Sequence, residues 1–185
     1  MEIEMSIIDR FIAAITPPET AEARLEARSK ATEAASPGDW LDQILQHHMD
    51  IEDAFLAVKS ATDAQIQRQE LKNLGVLLTG HSIAEEAVIY PALAKDGEKT
   101  HAAMGYDEQA MVKVQMALLE QLPPLSQDFL DRLEHIEGAV AHHMYAEEGN
   151  WFLDLKEAAT PEQETLLTLR YSEEYTRYVG QEALT

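Results

Sequence analysis

Cysteine is missing from the 185-residue chain. Its absence removes disulfides, iron–sulfur ligation and thiolate zinc sites together, so any metal must be met by imidazole, carboxylate, phenol or amide oxygen. Glycine is scarce, at 8 residues. No stretch alternates Val, Ile or Thr with polar residues, so a sheet is not expected. No apolar run approaches the roughly 18 residues that a membrane span needs. The amino terminus, Met1-Glu2-Ile3-Glu4-Met5, carries acids where a secretory signal requires basic residues; a cytoplasmic location is the expectation. Basic residues are also few: 14 Lys and Arg stand against 34 Asp and Glu, a formal charge of −20. Such a charge repels phosphate backbones and anionic membranes, which argues against nucleic acid or membrane as partners and in favour of cations.

What the chain does contain is Ala, Leu, Glu, Gln and Met in abundance, residues of high helix propensity. The expected fold is all-α: an antiparallel up-down four-helix bundle over residues 37–158, with an N-terminal extension over 1–36 and a C-terminal packing helix over 159–185. Ile3, Ile7, Ile8, Phe11, Ile12 and Ile15 form a helical stripe closed by Thr16-Pro17-Pro18. From Glu19 to Ala35 only Leu25 is large and apolar, so an exposed helix or connector is expected there. Ser36-Pro37-Gly38-Asp39 signals the start of the next helix, which runs to about Ser60. A second long helix follows from Asp63 to about Ala94, bending at or tolerating Pro91. Lys95-Asp96-Gly97 is a tight turn, a third helix spans about 99–122, and Pro123-Pro124 separates it from a fourth over about 126–158. The terminal helices are candidate surfaces for a homodimer or a protein partner.

One pattern occurs twice. Gly80-His81-Ser82-Ile83-Ala84-Glu85-Glu86 and His142-His143-Met144-Tyr145-Ala146-Glu147-Glu148 both read His-x-x-x-Glu-Glu, and each is followed by bulky apolar residues. Residues four apart on a helix share a face, so His81 with Glu85, and His143 with Glu147, could each grip one ion. Both pairs interrupt otherwise apolar stripes: Leu74, Leu77 or Leu78, Val88 and Ala92 around the first, and Ile136, Val140 and Trp151 around the second. An ionised carboxylate without a partner in a core is too costly to persist. A shared cation resolves the cost. His48 lies on the inward stripe of the first bundle helix, between Ile44 and Ile51, and His47 about 100° away from it.

These elements resemble the hemerythrin-like cation-binding domain family, whose pattern is a His on the first helix, His-x-x-x-Glu on the second, a His on the third and His-x-x-x-Glu on the fourth. The resemblance covers roughly residues 38–158. It implies a four-helix bundle around two non-haem, carboxylate-bridged iron ions, with zinc or manganese as lesser alternatives. It also implies dioxygen, peroxide or nitric oxide as the small ligand, bound, sensed or consumed. His48, His81 and His143 would be terminal ligands, and Glu85 and Glu147 the bridges. The third helix departs from the pattern: Gln109 stands where the His is expected, and Tyr106, three residues earlier, offers a phenol oxygen. Tyr106 or Gln109 is favoured over His101, which lies two turns from Gln109, about 12 Å along the axis. The missing imidazole would leave one iron more open. His47 and His142 are alternative substitutes for the absent ligand, while Glu86 and Glu148 are expected to support the ligands or face solvent. The rival to all of this is a metal-free helical interaction module whose His and Glu side chains bond one another.

Overall fold

A computed structural model of the protein describes residues 19–182. The amphipathic stripe at residues 3–15 lies outside them. The described residues are helical and joined by turns, with no strand among them. The helices, in order, are α1 (Ala21–Ala34), α2 (Trp40–Ser60), α3 (Ala64–Ala84), α4 (Tyr90–Lys95), α5 (Lys99–Leu119), α6 (Gln127–Ala146), α7 (Phe152–Ala158) and α8 (Pro161–Glu182). Two π-helical turns, Glu85–Ile89 and Glu147–Trp151, run α3 into α4 and α6 into α7.

The helix starts are set by short polar side chains that satisfy otherwise unpaired backbone N–H groups. Asp39 caps α2 by accepting from Asp42 N at 2.8 Å, and Asp63 caps α3 by accepting from Gln65 N at 2.8 Å. Ser126 caps α6. Thr160 and Gln163 cap α8 reciprocally, each side chain accepting from the other's backbone N–H. Short connections after α2 and α4 fold successive helices back on one another, so α2, α3–α4, α5 and α6–α7 form the up-down bundle.

The interior falls into two apolar halves. Trp40, Leu41, Ile44, Ile89, Leu93, Phe152 and Leu155 fill one end. Ile51, Phe55, Val58, Leu74, Leu119, Phe129, Leu133 and Ile136 fill the other. His48, His81, Glu85, Gln109, His143 and Glu147 are buried along the same inward faces. In α2, His48 stands between Ile44 of the first half and Ile51 of the second.

The segment before the bundle is a helix, exposed along most of its length as one alternative had it, but docked by a face of small residues. Ala27 and Ala31 of α1 are buried, and their small side chains let the helix lie close against the second π turn, where a methyl group added at Gly149 would sit 3.5 Å from the Ala27 Cβ. On the other side, α8 packs against α2 and α3, and buries Tyr171 completely. Among the described residues no helix is long and apolar enough to cross a membrane.

Candidate metal centre

Both His-x-x-x-Glu pairs sit where an α-helix passes into a π turn. Each turn opens on the glutamate of its pair and closes with an N–H five residues on, Tyr90 to the Glu85 carbonyl and Phe152 to the Glu147 carbonyl. One extra residue per turn re-aims the side chains that follow, and such bulges concentrate at functional sites. Within the pairs, His81 Nε2 lies 3.2 Å from Glu85 Oε2, and His143 Nε2 lies 3.2 Å from Glu147 Oε1.

Across the bundle these groups converge. Ligand atoms of His48, His81, Glu85 and Glu147 lie within 4.8 Å of one another, and all four residues are buried. Glu147 spans the group, with Oε2 at 3.4 Å from His48 Nε2 and Oε1 turned to His143. Five buried polar atoms here make no hydrogen bond to protein: His48 Nε2, His81 Nε2, Glu85 Oε1, Gln109 Oε1 and Glu147 Oε2. Buried donors and acceptors are paired in the great majority of cases. A concentration of imidazole nitrogens and carboxylate oxygens without partners, at one depth, is a donor set that could hold a metal cation.

The outward nitrogens are held. His48 Nδ1 bonds Glu148 Oε1 at 2.7 Å, and Arg28 of α1 clamps that carboxylate while also pairing with Glu52. His143 Nδ1 bonds Glu108 Oε2 at 2.7 Å. His81 Nδ1 meets the Tyr171 hydroxyl at 3.3 Å, and that hydroxyl also contacts His47 Nδ1 at 2.9 Å. An Nδ1–H given to a carboxylate leaves the Nε2 lone pair facing inward, the tautomer a metal requires.

Without a cation, the buried charges divide unequally. Burial and the neighbouring Glu147 push the Glu85 carboxyl well up. Burial would raise Glu147 as well, but His143 and His48 outweigh it and hold this carboxyl low. For His48, burial is outweighed by Glu147 and Glu148, which lift the imidazole to about 9. His81, lacking a carboxylate at its outer nitrogen, is pushed well down by burial and by His48. The two carboxyls thus behave as an interacting pair, one keeping its proton and the other ionised. A divalent cation would reverse that penalty and draw both into the ionised state.

A cavity of about 360 Å³ lies between α3 and α5. Thr79, Val112, Met116 and Tyr178 are among its walls, and His81, Gln109 and His143 line it too.

The Hemerythrin HHE cation binding domain matches residues 39–155, which is most of the chain and contains His48, His81, Glu85, Gln109, His143 and Glu147. The chain belongs to the hemerythrin HHE cation-binding family. Among curated proteins, a DNA nickase from Nostoc sp. is 25% identical over 122 residues, covering 66% of this chain. The match takes in 35% of that relative, so the chain spans about a third of its length. No solved structure matches.

Within this hemerythrin-like bundle the predicted residues separate into three groups. His48, His81, Glu85, His143, Glu147 and Gln109 are brought together. Gln109 donates from Nε2 to Glu85 Oε2 at 2.6 Å and to the Tyr90 hydroxyl at 2.7 Å. Glu148, expected to support a ligand or face solvent, is buried and holds His48, because Arg28 gives it a counter-charge. Tyr106, His101, His142, Glu86 and His47 stand apart. Tyr106 is 40% exposed; its ring packs edge-on against Tyr90 at 5.2 Å, and its hydroxyl donates to the Glu86 carbonyl at 2.7 Å. His101 lies 2.9 Å from Glu98 and stacks on Trp151, His142 bonds Glu19, and Glu86 pairs with Lys113. His47 stacks on Tyr175 at 3.6 Å between ring centroids. Four participants escaped the sequence reasoning: Arg28, Glu108, Tyr90 and Tyr171. The Tyr90 hydroxyl lies 3.0 Å from Glu147 Oε1, 3.1 Å from His143 Nε2 and 3.2 Å from Glu85 Oε2. Its signal was available in the repeat, where Tyr90 and Phe152 each follow a glutamate by five residues.

Proposed function

We propose that the chain holds a carboxylate-bridged pair of iron ions and acts on dioxygen, peroxide or nitric oxide. The single observation that carries this is the set of four unpartnered buried imidazole and carboxylate atoms on His48, His81, Glu85 and Glu147. His48, His81 and His143 would hold the ions from opposite sides, with Glu85 and Glu147 between them. Bound iron supplies one-electron and dioxygen chemistry that no side chain offers by itself.

The protein's own residues account for the rest. Glu148 and Glu108 fix the orientation of His48 and His143, and the Tyr171 hydroxyl does so for His81. The apolar halves above and below restrict water. The cavity between α3 and α5, which has His81, Gln109 and His143 in its lining, has ample room for a diatomic or peroxide ligand. The activity named for the Nostoc relative is not carried over: the match covers a minority of that protein, and a charge of −20 opposes contact with DNA.

Anaerobic loading with ferrous iron, followed by elemental analysis and optical spectra on adding oxygen or peroxide, tests the proposal. About two irons per chain with a near-ultraviolet oxo-bridged ferric band are expected. Uptake of zinc or manganese alone would mean a centre without redox work. No metal uptake at all would favour the metal-free interaction module.

A further inference from the structure

The third bundle helix offers Gln109 where an imidazole is expected, and the structure places another oxygen at that spot. The Tyr90 hydroxyl sits among His143 Nε2, Glu147 Oε1 and Glu85 Oε2 at 3.0–3.2 Å, and receives an N–H from Gln109 at 2.7 Å. The four-residue donor group of His48, His81, Glu85 and Glu147 does not include His143. His143 Nε2 instead faces the Tyr90 hydroxyl, as does the Glu147 oxygen turned away from His48. Two donor groups therefore share the glutamates, and Tyr90 belongs to the second.

Three independent features support a built position for this phenol. The ring is fully buried although its hydroxyl is polar, so the hydroxyl needs several partners and has them. On α5, Gly105 leaves a slot that no other residue could leave: a Cβ there would fall 2.7 Å from Tyr90 Cζ and 2.9 Å from Cε2. The chain's own repeat supplies the comparison. Phe152, the counterpart of Tyr90, is also fully buried and closes the other π turn, with its ring 6.5 Å from that of His48. Beside the aromatic ring without a hydroxyl stands a first-helix imidazole. Beside the ring with one stands Gln109, and the imidazole is gone.

We propose that the Tyr90 phenol oxygen is a metal ligand of this centre, taking the place of the third-helix imidazole on the His143 side. The inference rests on the di-iron function proposed above. Coordination breaks the phenolic O–H bond, forms an oxygen–metal bond and releases one proton to solvent. Gln109 then serves as the hydrogen-bond donor to the ligated oxygen rather than as a ligand itself. The consequence is an unequal pair of positions, one with two imidazoles and one with an imidazole and a phenolate.

Loading the wild-type chain and the Tyr90→Phe, Tyr106→Phe and Tyr90→Phe/Gln109→His variants with ferrous iron, then oxidising, tests the assignment. The wild type and Tyr106→Phe should show a visible phenolate-to-ferric charge-transfer band with tyrosine ring modes in its resonance Raman spectrum. Tyr90→Phe should lose both, and lose affinity for one of its two irons. The double variant should regain iron without regaining the band. Circular dichroism establishes that the near-isosteric Phe variants remain folded. Wild type holding two irons without the band, or a band that survives Tyr90→Phe, would overturn the ligand assignment alone. Wild type that takes up no iron would overturn the di-iron function and this assignment with it.

Discussion

Replacing Gly105 by alanine asks whether α5 has been cut away to admit the Tyr90 ring. The added methyl would meet three ring carbons at 2.7, 2.9 and 3.1 Å. The ring has no room to retreat, because it is fully buried and its hydroxyl is held by Gln109, Glu85 and Glu147. Overpacking of this kind costs about 1–3 kcal/mol, against about 1 kcal/mol gained by exchanging glycine for alanine inside a helix. The net expectation is a change between neutral and about 2 kcal/mol destabilising. Gly138 is the control: it is exposed on α6, with nothing within 4 Å of the added carbon, so its alanine variant collects only the helical gain. The two variants should differ by about 1–3 kcal/mol, which at about 2–4 °C per kcal/mol for a chain of this size is about 2–12 °C in Tm. Thermal unfolding of the metal-free proteins, followed by circular dichroism, reads the difference directly. If both alanine variants gain the same few degrees, the slot for Tyr90 is not tight and the packing account is wrong.

Glu85→Gln should leave the metal-free protein within about 1 kcal/mol of wild type, because burial and Glu147 already drive this carboxyl toward its neutral form. The same variant should abolish the stabilisation by divalent metal, which for wild type at a thousandfold excess over Kd is about 4 kcal/mol. Arg28→Ala strips the counter-charge from buried Glu148 and should cost about 3 kcal/mol in urea unfolding; a loss below 0.5 kcal/mol would mean that α1 is not a structural part of the centre. Away from the metal, Asp39 is held below the usual carboxylate range: burial opposes this, but the Asp42 N–H, Lys156 and the Ser36 N–H outweigh it. Its contribution is therefore present above the ordinary carboxylate pKa and fades as pH falls through the lowered value. Asp39→Asn should flatten that acid limb of the stability curve while keeping the α2 cap, and an unchanged limb would count against the linkage.

Much of the molecule was legible from spacing alone. The apolar stripes gave an all-helical bundle, and residues four apart brought His81 to Glu85 and His143 to Glu147. His48 could be placed because Ile44 and Ile51 flank it on the same face. The remainder was hidden for identifiable reasons. On an ordinary α-helix, Tyr90 would lie about 140° around the axis from Glu85 and point away from it. The π turn brings it back, and no simple count of residues announces a π turn. Tyr106 was favoured instead because it shares a regular helical face with Gln109, yet its ring leans outward to the Glu86 carbonyl. The segment containing Arg28 looked too poor in large apolar residues to pack, but Ala27 and Ala31 achieve contact by being small. For Glu148 the choice between supporting a ligand and facing solvent stayed open, because its counter-charge comes from a helix 120 positions earlier in the chain.

The paired π turns carry a consequence for how this chain can vary. Removing one residue between Glu85 and Tyr90 would restore ordinary helical winding and leave Tyr90 four residues after Glu85, about 40° from it around the axis, so the phenol would keep its face. Removing one between Glu147 and Phe152 would do the same on the opposite side. A deletion there is absorbed by the change of winding, whereas the same deletion in an ordinary α-helical stretch would rotate everything downstream by about 100°. In these two short stretches the winding, more than the number of links in the chain, keeps the flanking helices in step.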